Sequence, residues 1–129
     1  TWAVMVTVGK EGYLERARKI FETAFTMQKS VTRHPELRLM GSPTCCFAFT
    51  SDEFDIYHLN DFMKDRGWRF NGQQYPSAIH MCVTGPQTQP GLAEAFDRDL
   101  PVAEHRQVAG HGHRAEPADA VATRDRLGR

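Results

Sequence analysis

Long apolar runs are missing from this chain. The most apolar opening stretch, TWAVMVTVGK, falls far short of the ~20 residues a membrane-crossing helix needs. It has neither the basic n-region nor the small-residue cleavage site of a secretory signal. No transmembrane segment and no such leader are therefore expected. Charge of one sign is missing too. Sixteen basic residues balance 16 acidic ones for a net charge of 0, so no global field recruits nucleic acid or an anionic membrane. Several catalytic signatures are also absent: no GxSxG elbow, no Walker loop, no GxGxxG and no HExxH. Cysteine is sparse. The three cysteines, Cys45, Cys46 and Cys82, form no CxxC and no even framework. By residue type they read as small buried hydrophobes in a reducing compartment, and a cytoplasmic location is expected.

What is present suits one hydrophobic core. The 129 residues are 40% apolar and 25% charged, ordinary values for a globular protein. The apolar start reads as the middle of a buried element, which points to a fragment or to a domain that leans on another. From Glu11 to Val31 the residues Leu14, Ala17, Phe21, Ala24 and Val31 recur at helical spacing, with Arg16, Arg18, Glu22 and Lys29 opposite. His34-Pro35 ends that helix. Leu37 to Met40 is a short strand, and Gly41-Ser42-Pro43 a turn. Thr44 to Thr50 alternates, with Phe47 and Phe49 on one face and Cys46, Ala48 and Thr50 on the other.

A second helix follows. Ser51-Asp52 supplies its cap, Ile56, Leu59, Phe62 and Met63 its buried stripe, and Gly67 its end. Asn71-Gly72 reads as a turn pair. Ser77 to Thr84 alternates again, setting Ile79, Met81 and Val83 against His80, Cys82 and Thr84. Thr88 caps a last helix with Pro90 in its first turn and Leu92, Ala95, Phe96 and Leu100 on its apolar face. Pro101 ends it. The expected fold class is α+β: a small, mostly antiparallel sheet covered by helices on one face. Residues 106–129 lack aromatics and periodicity and read as a mobile tail.

Few constellations suggest chemistry. His111 and His113 form HGH in the tail, too few ligands for a structural metal. CFAFT at 46–50 faintly resembles the aromatic strand of an RNA-recognition module. It lacks the preceding basic residue and glycine, and it runs into Ser51-Asp52-Glu53, which would repel phosphate. A core strand is the better reading. His58 lies on the second helix facing solvent. His80 lies on the less apolar face of its strand, where it is either satisfied locally or aimed at a cleft.

One pattern runs from residue 51 to residue 84: Ser51, Phe54-Asp55-Ile56-Tyr57, Leu59, Met63, Gly67-Trp68, Asn71, Gln74, Pro76, Ile79-His80, Cys82 and Thr84. It resembles the C-terminal region of the sphingosine-1-phosphate lyase family, among the group II decarboxylases of pyridoxal phosphate (PLP) chemistry. The resemblance runs from residue 1 to about Asp99; the tail departs from it.

The resemblance implies a carbon–carbon lyase acting on phosphorylated long-chain bases, or a related decarboxylase. It implies the C-terminal small domain of a PLP-dependent fold type I enzyme. Residues 1–33 would be a helical segment continuing from a cofactor domain, and residues 34–105 the small domain itself. In that family the coenzyme-binding lysine directly follows a histidine. Here the lysines are Lys10, Lys19, Lys29 and Lys64, and none has that neighbour. The chain alone is then expected to bind no PLP, hold no catalytic residue and be inactive. Its expected partners are an upstream PLP-binding domain and a second copy of the complete enzyme in a homodimer. His80 falls at or near a position that faces the substrate acid group, with Gln74 and Asn71 as further substrate-binding candidates. The rival reading is a stand-alone α+β interaction or small-ligand-binding domain without enzymatic activity.

Overall fold

Two periodicities in the sequence, 3.6 and 2, become two layers. The computed structural model describes residues 1–100, so the expectations for Pro101, the tail and its HGH pair lie outside the described residues. The element order is α1 (Trp2–Thr32), β1 (Leu37–Leu39), β2 (Cys46–Ser51), α2 (Ile56–Asp65), β3 (Asn71–Gln73), β4 (Ala78–Cys82), a 3₁₀ turn (Gly85–Thr88) and α3 (Leu92–Asp99). α1 is interrupted at Gly9, with φ 62° and ψ 173°, a conformation that only glycine adopts at low cost.

The four strands form one antiparallel sheet in the order β1-β2-β4-β3. Register decides which side chains meet. Phe47 lies opposite Met81, and Phe49 opposite Ile79. These four face the helices and are buried. Ala24, Met27 and Val31 of α1, Ile56, Leu59 and Met63 of α2, and Phe96 of α3 close the same core. Phe96 stands edge-on to both Phe47 and Trp68, at centroid distances of 6.5 and 5.3 Å. Such aromatic pairs add to the area they bury. The expected class therefore holds: three helices pack on one face of a small open antiparallel sheet. Because residues 24–31 of α1 lie in that core, residue 33 does not divide two separate cores.

Four local expectations change. Asp55, not Ser51-Asp52, caps α2: its carboxylate accepts from the Tyr57 backbone N–H at 2.9 Å. Asn71-Gly72 is strand, not turn, and the turn falls at residues 74–77. At Gly72 a Cβ would lie 3.2 Å from the Tyr57 ring, so glycine serves close approach of β3 to α2, and the Tyr57 hydroxyl donates to the Gln73 carbonyl. Thr84 forms a capping box with Gln87 on the 3₁₀ turn, and Gly91, at φ 83°, precedes α3 in place of Thr88. Finally, the apolar start is helical but exposed: Trp2 is 74% and Val6 61% exposed.

Candidate functional site

The open face of the sheet follows from the same register. His80 on β4 lies directly opposite Ala48 on β2 and Asn71 on β3. Residues directly opposite in antiparallel strands project to one side. Here that side is away from the helices, because His80 alternates with the buried Ile79 and Met81. Arg38 of β1, opposite Thr50, joins the same face, as does Gln73, two residues beyond Asn71.

His80 is half-buried. Its Nδ1 is buried and has no hydrogen-bond partner. Buried side-chain nitrogens are nearly always satisfied, so this atom marks a position where an acceptor or donor is wanted. Asn71, exposed beside it, carries both an amide donor and an acceptor. Gln74 sits apart. It occupies the turn beyond β3, about 10 Å along the strand from Asn71 at ~3.3 Å per residue. The structure thus brings His80 and Asn71 together but not Gln74. Sequence reasoning passed over Gln73; once β3 is recognised as strand, its alternation with Asn71 reveals it.

The cysteines do not match their expected burial. Cys46 and Cys82 are exposed and Cys45 is half-buried. Cys46 lies directly opposite Cys82, on the open face one row from His80. Desolvation first, then the neighbouring Cys82, pushes the Cys46 thiol above its ordinary value.

CFAFT forms most of β2, and its aromatics Phe47 and Phe49 are 1% and 0% exposed. They face the core and offer no stacking platform for bases. A separate cleft of ≈ 340 Å³ is lined by Arg66, Trp68, Arg69, Met81, Gln87 and Asp99, among others. Met81 belongs to the covered face of β4, so this cleft lies on the side of the sheet away from His80. Trp68 Nε1 donates to Asp99 there at 3.1 Å.

A coenzyme aldehyde needs a lysine amine that is desolvated and close to an anion cradle. Lys10, Lys19, Lys29 and Lys64 are all exposed, and Lys19 pairs with Glu15 at 2.8 Å. These residues do not fit PLP. Among the described residues no group of three or more His, Cys, Asp or Glu is placed to hold a metal ion. No helix among them is long and apolar enough to cross a membrane.

No family model matches the chain. The solved structure of the sphingosine-1-phosphate lyase of Burkholderia pseudomallei shares 63% sequence identity with it, over 84% of this chain and 24% of that one, at a TM-score of 0.77. The chain is a homologue of sphingosine-1-phosphate lyase. Sphingosine-1-phosphate lyases of Drosophila melanogaster and Arabidopsis thaliana are 40% and 39% identical over 100 and 112 residues. The chain spans only 18% and 20% of the length of those two curated relatives. A C-DES mutant with glycine covalently linked to its PLP cofactor shares the fold over 67% of this chain and 23% of that one, at 12% identity and a TM-score of 0.55.

Proposed function

We propose that this chain is the C-terminal domain of a PLP-dependent carbon–carbon lyase that cleaves phosphorylated long-chain bases by a retro-aldol reaction. The observation that carries the proposal is the 63% identity to the Burkholderia pseudomallei lyase over most of this chain. In this reading the chain is inactive alone, because the lysine that holds the coenzyme lies in an upstream PLP-binding domain. The complete enzyme is a homodimer in the cytoplasm.

The domain's own contribution is to wall the substrate space. His80 offers a side-chain nitrogen to a substrate oxygen, and Asn71, directly opposite it in the ladder, offers a second polar group. The orphaned His80 Nδ1 supports this role, since a bound oxygen would satisfy it. Gln74 reaches the substrate only where a long ligand extends past the end of β3. The apolar surface of Trp2, Val4, Met5 and Val6 favours this reading over a stand-alone domain, because exposed patches of that kind mark contact surfaces.

The test is reconstitution. Co-expressing this chain with the upstream domain should yield an aldehyde and a phosphorylated amino alcohol from a phosphorylated long-chain base, and neither part alone should do so. In the reconstituted enzyme His80→Ala should raise KM more than it lowers kcat. Turnover by this chain alone contradicts the proposal. Unchanged kinetics for His80→Ala removes His80 from the site and leaves the domain assignment standing.

A further inference from the structure

The open face carries a second feature that the lyase reading does not use. Cys46 and Cys82 are directly opposite in neighbouring strands. The Val83 backbone N–H donates to the Cys45 carbonyl at 2.8 Å, which makes Cys45 and Val83 a hydrogen-bonded pair of the ladder. Ladder pairs alternate, so Cys46 and Cys82 form a non-hydrogen-bonded pair. In such pairs the Cα atoms lie about 4.5 Å apart and the side chains approach most closely, inside the roughly 4.4–6.8 Å window a disulfide requires. Both residues are exposed. We propose that Cys46 and Cys82 form a reversible cross-strand dithiol–disulfide site, oxidised by a low-molecular-weight disulfide.

The exchange balances in two steps. A thiolate on one cysteine attacks a sulfur of the small disulfide. That S–S bond breaks, and one small thiolate leaves and takes up a proton. The second cysteine, deprotonated, then attacks the protein-side sulfur of the mixed disulfide and expels the second small thiol. Two protein thiols are oxidised by two electrons, and one small disulfide is reduced to two thiols. Thiolate fraction sets the rate of the first attack. Either cysteine can open the exchange, because both are exposed, and the one directly opposite closes it. Register provides the proximity that makes closure intramolecular. Cys45 is excluded, because alternation turns its side chain to the opposite face.

The consequence is local. Cys82 and His80 are two residues apart on β4 and share a face, so the cross-link would fix the strand pair beside His80. The inference rests on the ladder register alone and stands whether or not the lyase reading does.

The experiment treats the full chain with oxidised glutathione at neutral pH, quenches with acid, and counts free thiols after denaturation. Peptide mapping then locates the bonds. The free-thiol count should fall from three to one, with a Cys46–Cys82 peptide pair that dithiothreitol reverses. Cys45→Ser should fall from two to none. Cys46→Ser and Cys82→Ser should each block the intrachain bond and stop at a glutathione adduct on the remaining member. All three variants change accessible or half-buried side chains, and circular dichroism checks that each retains its fold. A count that stays at three overturns the proposal. So do separate glutathione adducts on Cys46 and Cys82 without a bond between them, or a disulfide that joins Cys45 or two chains.

Discussion

Replacing Phe96 with alanine tests how the sheet that carries His80 is held. Phe96 is 0% exposed and touches three other rings: Phe47, Trp68 and Phe70. It is the only fully buried residue within Leu92–Asp99, and the smaller Leu100 at the helix end is its only fully buried companion there. Large-to-small core changes of this kind cost about 3–5 kcal/mol, the transfer of the lost ring plus the cavity it leaves. A domain of this size is stable by only ~5–15 kcal/mol, so the variant forfeits about a fifth of the total at the least. With a urea m-value of about 1–3 kcal/mol/M, the midpoint should drop by roughly 2 M. Equilibrium urea unfolding, followed by Trp68 fluorescence and by far-ultraviolet dichroism, measures it. Phe25→Ala is the control: that ring is 45% exposed and should cost under ~1 kcal/mol. Equal midpoint shifts for the two variants would refute the placement of α3 over the sheet.

Three more outcomes follow from single contacts. Asp55→Ala removes the carboxylate that caps α2 and should cost about 0.5–2 kcal/mol in the same urea titration. Gly72→Val puts side-chain atoms where even a Cβ would lie 3.2 Å from the Tyr57 ring, so it should destabilise by about 1–3 kcal/mol, whereas Gln73→Val, exposed on the other face, should not. The raised Cys46 thiol fixes a sign: its neutral form is favoured in the folded state. Stability from this group is present below the ordinary thiol range and falls as pH rises through it. Mapped iodoacetamide labelling should accordingly require a higher pH at Cys46 than in a peptide of the same sequence.

The fold was legible wherever periodicity was unambiguous. Phe47, Phe49, Ile79 and Met81 alternate with polar or small partners, and that pattern alone assigns the buried face. The stripes of α1 and α2 come from the same reasoning at helical spacing. β3 was hidden because its three residues, Asn71, Gly72 and Gln73, are all exposed and Asn-Gly is the commonest turn signal. Tertiary contact with Tyr57, at a distance in sequence, overrides that local preference. The cysteines were misplaced for a related reason. Residue type argued for burial, while the strand parity of Cys46 and Cys82 argued for the open face, and parity prevailed. At the candidate site, alternation exposed His80 and the family resemblance named Asn71, but only the β3–β4 register puts the two side by side. Nothing in the sequence shows that Nδ1 lacks a partner.

The account depends most on the claim that the amine which holds the coenzyme is not among the residues of this chain. Incubating the chain with pyridoxal phosphate, reducing with borohydride and mapping the products by mass spectrometry tests it directly. Only weak labelling, scattered over Lys10, Lys19, Lys29 and Lys64, is expected, with no shift in coenzyme absorbance at stoichiometric concentration. Stoichiometric capture at one of these four lysines would contradict the account.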